Sequence, residues 1–330
     1  MSRIAILGAG AWGTALALSL ARRGGHELFL WSHSPAHAEQ LADTGENLPY
    51  LPGFTLPADI DVTADLPRAI FEADILLCVT PSQHLRGIIT HIAPLLTRNQ
   101  IILSASKGIE ETTFLRMSQV IASITNNPCA VLSGPSFAQE VAAGIPTALV
   151  AAANDPHLAQ HIQRDFSSPT LRLYTNEDVT GVELGGALKN VIALAAGVVH
   201  GLNLGHNSAA ALITRGIAEI TRLAVACGGR RQTLAGLSGI GDLVLTCTGS
   251  LSRNRSVGIE LGRGRHLPDI LEGLHGKVAE GVRSTTAALG LAARYGVEMP
   301  ITEQMDALLH QNKAPKDAIR ELMARPGRDE

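Results

Sequence analysis

Met1-Ser2-Arg3-Ile4-Ala5-Ile6-Leu7-Gly8-Ala9-Gly10-Ala11-Trp12-Gly13-Thr14 is an apolar run followed by three closely spaced glycines. Ile4, Ile6 and Leu7 form a short stretch of strand type, and the alanine-rich segment from Ala15 to Ala21 is of helix type. A buried strand that turns tightly into a helix leaves backbone N–H groups directed at an anion. In the Gly8–Gly10–Gly13 spacing, the first glycine permits the turn and the second admits a pyrophosphate to the backbone. The third lets the helix pack close to the strand. Between a strand and a helix this spacing predicts a dinucleotide site. A glycine-rich structural turn in another α/β fold is the competing reading.

The 330 residues are enough for a large core and for two domains. Hydrophobic residues at 45% against 17% charged exclude a disordered chain or a coiled coil. The net charge of -3 argues against nonspecific nucleic-acid binding, and 3% aromatic residues offer no stacking platform for bases. Cys78, Cys129, Cys227 and Cys247 have no paired spacing, so reduced thiols in a cytoplasmic protein are expected. With a strand directly at the start, no signal peptide is expected. The apolar run Val191–Val199 is too short to span a membrane, so no membrane insertion is expected.

His26 to Trp31 reads as a second strand. Its tip carries Trp31-Ser32-His33-Ser34, without the acidic residue that often takes the ribose hydroxyls of NAD. That permits NADP, with His33 as the candidate selector; Glu39 or a backbone group could serve NAD instead. Residues 43 to 58, rich in glycine and proline, read as a loop. Asp61–Thr63 and Asp74–Val79 read as strands. Thr80-Pro81-Ser82-Gln83 follows, where Ser82 could cap a helix from Gln83 to Ala93 or touch the nicotinamide ribose. Ile101–Ser104 is the next strand, with Lys107 beyond its end. A helix is expected over Thr113–Ser123, then a strand at Ala130–Ser133 followed by Gly134-Pro135-Ser136-Phe137-Ala138. Ile145–Ala152 and Leu171–Tyr174 complete the sheet. The alternation predicts a doubly wound, Rossmann-type α/β domain over residues 1–177.

From Asp178 onward apolar residues recur at helical spacing, which predicts an all-helical domain over 178–330 and an active-site cleft between the two. Lys189, in Glu183-Leu184-Gly185-Gly186-Ala187-Leu188-Lys189-Asn190, sits within an apolar helix where a charge needs a partner or water. It is the candidate acid/base for hydride chemistry, tuned by burial and by a neighbouring cation such as Lys107; a snorkelling lysine is the bland alternative. Asp242, in a glycine-rich turn, could pair with Lys189, bind a substrate hydroxyl or cap the following segment. Ser252-Arg253-Asn254-Arg255 offers a fork and hydroxyls suited to a phosphoryl group. Glu280 could meet the cofactor or cap a helix. His200 and His206 have no metal-ligand spacing, and no metal is assigned.

These motifs, read together, closely resemble the bacterial NAD(P)-dependent glycerol-3-phosphate dehydrogenase family from Ile4 to about Met323. The segments that carry the resemblance are the Gly8–Gly13 turn, Ser106-Lys107-Gly108, Ser133–Ala138, Glu183–Asn190, Gly239–Leu243 and Ser252-Arg253-Asn254. The resemblance implies reversible conversion of dihydroxyacetone phosphate and sn-glycerol 3-phosphate with NADP or NAD, feeding phospholipid synthesis. It makes Lys189 the proton acceptor and donor. Substrate contacts fall to Lys107, Gly134, Ser136, Lys189, Asp242, Ser252, Arg253 and Asn254. Cofactor contacts fall to Gly8, Gly10, Ala11, Trp12, Gly13, His33, Lys107, Ala138, Arg253, Val278 and Glu280. Many relatives have serine where this chain has Ala11, which would lose a hydroxyl but keep a backbone contact. A homodimer is a further expectation. The rival readings are a related hydroxy-acid dehydrogenase, if Arg253 faced a carboxylate, and a nucleotide sensor that would not need Lys189.

Overall fold

The computed structural model describes residues 1–273 and 279–327. The chain divides into two compact units, Met1–Lys107 with Leu115–Glu183, and Gly108–Phe114 with Leu184–Glu330.

The first unit is built on strands β1 (Ser2–Leu7), β2 (His26–Trp31), β3 (Glu46–Asn47), β4 (Leu51–Thr55), β5 (Ile60–Thr63), β6 (Ile75–Cys78), β7 (Ile101–Ser104), β8 (Cys129–Ser133), β9 (Thr147–Ala152) and β10 (Leu171–Asn176). Eight of them form one sheet in the order β10-β9-β8-β7-β6-β1-β2-β5. The pairings are parallel except β8 with β9, which run antiparallel with Val131 opposite Ala152. Successive residues of a strand point to opposite faces. Ile4, Ile6, Leu28, Leu30 and Leu77 accordingly belong to one apolar cluster, and Ala5, Leu7, Phe29, Trp31 and Cys78 to another. Both faces are covered, which is why these strands read as unbroken apolar runs.

Three expectations need correction here. Residues 43–58 are not a plain loop: β3 and β4 pair as an antiparallel ribbon, with Asn47 fully buried and Leu51 in the core. The helix expected over Thr113–Ser123 is only Met117–Ala122. Phe114 lies at a positive φ of 59°, which no helix tolerates, and residues 108–114 belong to the other unit. Ser82 does not cap a helix from Gln83. It begins a short 3₁₀ turn, Ser82–His84, with Pro81 at the cap position, and the helix proper is Leu85–Ile92.

The second unit is helical. Its core gathers Leu184, Leu188, Val191 and Leu194 from the helix Val179–Gly201 with Ile220 and Leu223 from Gly205–Ala226. Leu261 of Arg253–Gly262 and Leu291 of Glu280–Tyr295 join the same cluster. By length and composition Val179–Gly201 is long and apolar enough to cross a membrane, more than the run Val191–Val199 suggested, but its apolar window is wholly buried within the fold. Arg253–Gly262 lies directly against it: a Cβ on Gly197 would sit 2.1 Å from Arg255 O, and one on Gly258 would sit 2.0 Å from Leu194 O. The two backbones touch because neither position carries a side chain.

Residues 108–114 complete this unit. Ile109 is fully buried in its core, the Arg294 guanidinium lies 4.6 Å from the centre of the Phe114 ring, and Arg294 donates to Thr113 O at 2.7 Å. Glu219, also fully buried, accepts from Ile301 N at 2.9 Å and Thr302 N at 3.0 Å. It thereby satisfies the amino end of Pro300–His310, which no neighbouring residue caps.

Candidate active site

In the first unit the candidate residues gather at the carboxyl ends of β1, β2, β6, β7 and β8. Gly8 turns at a φ of +129°. A Cβ on Gly13 would lie 1.9 Å from Gly8 O, so only glycine lets the helix Ala11–Arg23 start this close to β1. At Gly10 the opposite holds: a Cβ there would meet nothing within 4 Å. The helix has no side-chain cap and no acidic residue in its first turn, so its N–H groups are left for an external anion. Beside it, Trp12 Nε1 and Thr80 Oγ1 are buried with no hydrogen-bond partner among the described residues. Open space over Gly10, an uncapped helix start and an unused indole donor fit a dinucleotide pyrophosphate. His33 is exposed at the tip of β2, next to the buried Ser32.

Lys107, Gly134 and Ser136 come together on one atom. Lys107 Nζ donates to Gly134 O at 2.8 Å, and Ser136 Oγ donates to the same oxygen at 3.0 Å. Gly134 itself turns at a φ of +127°, with Leu149 Cα at 3.3 Å from where its Cβ would be. Ala138 opens the short helix Ala138–Ala142.

In the second unit Lys189 is buried, at 8% exposure, and forms an ion pair with Asp242, which is completely buried. Its Nζ also donates to Thr246 Oγ1 at 2.9 Å, and that hydroxyl in turn donates to the backbone carbonyl Asp242 O at 2.6 Å. Lysine, carboxylate and hydroxyl therefore form one closed set in an apolar surround. Asp242 lies just past the glycine-rich turn: Leu237–Gly241 is a π-helical turn that leads into the helix Asp242–Thr248, with Asp242 as its first residue. Gly185 is the place where Leu237–Gly241 approaches, since a Cβ there would be 2.3 Å from Ser238 O.

The neighbouring asparagines are linked. Asn254 Nδ2 donates to Asn190 Oδ1 at 3.1 Å, and Asn254 Oδ1 accepts from Gly281 N at 2.9 Å. Ser252 caps Arg253–Gly262 by accepting from Arg255 N. Arg253 and Glu280 are each the first residue of a helix. Arg253 is exposed on the surface. Partial loss of water around its guanidinium lowers its pKa, and the Glu280 carboxylate opposes that shift. Val278 lies outside the described residues.

Thr246 is the member of this set that sequence reasoning missed. The signal was its position four residues after Asp242 on a helix, which places both side chains on one face. Cys78 and Cys247 are buried, with their thiol pKa values pushed up to about 12 by burial.

A turn shaped for a pyrophosphate fits a dinucleotide-binding protein, and a buried lysine paired with a carboxylate suits the acid/base role of a nicotinamide-dependent oxidoreductase. Comparison with known proteins specifies it further. The descriptions "NAD-dependent glycerol-3-phosphate dehydrogenase N-terminus" and "C-terminus" match residues 3–159 and 178–320. The NAD(P)+-dependent glycerol-3-phosphate dehydrogenase of Acidobacterium capsulatum is 62% identical, over 100% of both chains. That of Koribacter versatilis is 57% identical, over 100% of this chain and 99% of its own. The crystal structure of glycerol-3-phosphate dehydrogenase from Coxiella burnetii superposes with a TM-score of 0.94 at 40% identity, covering 98% of this chain and 99% of that one. The chain belongs to the NAD-dependent glycerol-3-phosphate dehydrogenase family. It is an oxidoreductase with the family's NAD(P)-dependent activity.

Proposed function

We propose that the chain interconverts dihydroxyacetone phosphate and sn-glycerol 3-phosphate in the cytoplasm, reducing the ketone with NADPH or NADH to supply phospholipid synthesis. The observation that carries this reading is the buried Lys189–Asp242–Thr246 set. When bound, the reduced nicotinamide supplies the hydride that makes the C2 carbonyl an alkoxide. The protein's task is then to give that oxygen a proton. Lys189 enters reduction as the ammonium form paired with Asp242, donates one proton to the C2 oxygen, and accepts it back in oxidation. Thr246 fixes the direction of the Nζ lone pair once the proton has left. Before transfer, the positive charge of Lys189 stabilises the developing alkoxide.

Arg253, Ser252 and Asn254 bind the phosphate end: a guanidinium fork suits phosphate oxygens, and it remains charged at any physiological pH. The glycine turn, with the N–H groups of Ala11 and Trp12, holds the cofactor pyrophosphate. His33 reads the adenosine ribose.

The test is loss of reduced-nicotinamide absorbance with dihydroxyacetone phosphate, run with NADPH and NADH in parallel. Turnover that falls to a residual level with unphosphorylated dihydroxyacetone is the expected result. Turnover of a 2-keto acid but not of dihydroxyacetone phosphate would replace this substrate with a hydroxy acid.

A further inference from the structure

The ribbon formed by β3 and β4 brings an asparagine beneath the glycine turn. Asn47 is fully buried, and its Nδ2 donates to Ala9 O at 2.9 Å and to Thr14 Oγ1 at 2.6 Å. Its Oδ1 lies 3.1 Å from His37 Nε2, and His37 Nδ1 lies 3.0 Å from Ser32 Oγ. Ser34 N donates to Ser32 Oγ at 3.3 Å, and His37 N donates to Ser34 Oγ at 3.3 Å. All of these residues lie in the first unit.

The direction of this chain follows from one atom. Ala9 O is a carbonyl and only accepts, so the amino group of Asn47 faces it and Oδ1 faces His37. His37 Nε2 is therefore the donor. In the neutral ring Nδ1 is then the acceptor, and the Ser32 hydroxyl donates to it. Every donor meets an acceptor from Ser34 N to Ala9 O. The chain begins at the tip of β2, one residue from the exposed His33, and ends between Gly8 and Gly10.

We propose that Asn47 and His37 are positioning residues for the cofactor, locking the pyrophosphate-binding turn to the strand tip that reads the adenosine ribose. The proposal rests on the reading of the glycine turn as the cofactor site. Asn47 holds the turn itself, which touches the part common to NADPH and NADH. His37 holds Ser32 and the backbone that carries His33, the exposed residue at the tip of β2 that would read the ribose 2′ position where the two cofactors differ. The two residues therefore have separable effects: Asn47 sets affinity for both cofactors, and His37 sets the preference between them. Tyr50 closes the histidine on its other side, edge-on with ring centres 5.2 Å apart, so the ring is held without blocking either nitrogen.

The test is direct binding, by titrating NADPH and NADH into the full-length protein in a calorimeter, with circular dichroism confirming that each variant is folded. Asn47→Ala should weaken both cofactors alike, by about tenfold, as expected for the loss of one or two buried hydrogen bonds. His37→Ala and Ser32→Ala should each change the NADPH-to-NADH affinity ratio by about threefold or more, a difference of at least ~0.65 kcal/mol. His37→Gln, whose amide keeps a donor to Asn47 but offers Ser32 no ring nitrogen, should leave the overall affinity unchanged and shift the ratio as His37→Ala does. If Asn47→Ala does not fold, Ser32→Ala decides alone, since among the described residues its hydroxyl hydrogen-bonds to His37 and to the Ser34 backbone. Wild-type affinities and ratio in Ser32→Ala and His37→Ala would overturn the relay. Failure of the wild-type protein to bind either cofactor would instead overturn the cofactor site.

Discussion

Lys189 and Asp242 are ion-paired inside the helical unit, with Asp242 shut off from solvent altogether. Two opposite charges in a low-dielectric interior stand or fall together. Removing one leaves the other unpaired, at a cost of about 3–5 kcal/mol, whereas replacing both with apolar groups of similar size is often neutral. Lys189→Ala and Asp242→Ala should each lower the unfolding free energy by about that amount, and Lys189→Met combined with Asp242→Leu should recover most of it. Turnover should fall by about 10²–10⁴-fold in Lys189→Ala and stay down in the stable double variant. Urea unfolding and steady-state kinetics on the same preparations separate the two effects. A double variant that regained activity with stability would remove Lys189 from proton transfer.

Gly10 and Gly13 should respond differently to one added methyl group. At Gly13 the new Cβ would fall 1.9 Å from Gly8 O, so Gly13→Ala should push the helix off the strand and destabilise the unit by about 1–3 kcal/mol. At Gly10 nothing stands within 4 Å. Gly10→Ala should leave the melting temperature of the free protein unchanged while weakening cofactor binding. Thermal unfolding with and without NADPH checks both. An unchanged cofactor-induced shift in Gly10→Ala would place the pyrophosphate elsewhere.

Arg253→Ala should raise the KM for dihydroxyacetone phosphate by about 10–100-fold, as for loss of a charge-assisted contact worth roughly 1.5–3 kcal/mol. Arg253→Lys should recover only part, because a single ammonium cannot reproduce the fork. The residual turnover of unphosphorylated dihydroxyacetone should not change. A KM effect equal for both substrates would show that Arg253 does not read the phosphate.

Burial raises the pKa of the Glu219 carboxyl, and the bonds from Ile301 and Thr302 only partly offset this. The unfolded chain releases this proton first as pH rises. Between the ordinary glutamate value of about 4.3 and the higher folded value, the native state holds more protons than the unfolded one, and stability falls with rising pH. Relative to Glu219→Gln, which does not titrate, the wild type should therefore lose stability through the weakly acidic range. Denaturant unfolding at a series of pH values reads the slope of the difference. Glu219→Ala should be destabilised at every pH, by about 1–3 kcal/mol, through the uncapped helix. A rising difference would mean that the hydrogen bonds outweigh burial.

The parts of the fold that the sequence made legible are those with a local signal. Strands β1, β2, β6 and β7 are covered on both faces and so appear as apolar runs, and the glycine turn identifies itself by spacing. Lys189 stands out because a charge inside an apolar helix is costly. The rest depends on partners distant in the chain. Nothing near Val131 announces that Ala152 will lie opposite it in the reverse direction. Asn47 sits among prolines and glycines that read as loop, and only its bonds to Ala9 and Thr14 explain its burial. Residues 113–123 look like one helix because their apolar spacing mixes two allegiances, Phe114 to one unit and Met117 to the other.

That short excursion has a consequence for synthesis. Ile109 and Phe114 leave the ribosome early, but Gly290 and Arg294, against which Phe114 packs, follow almost two hundred residues later. Until then the nascent chain carries two apolar side chains, Ile109 and Phe114, in an otherwise polar heptapeptide, without the core that receives them. The first unit can close around its sheet during translation, while the second waits for its own carboxyl-terminal half. A chain interrupted between the two would present Ile109 and Phe114 to chaperones, and a hold-up late in translation would prolong that exposure.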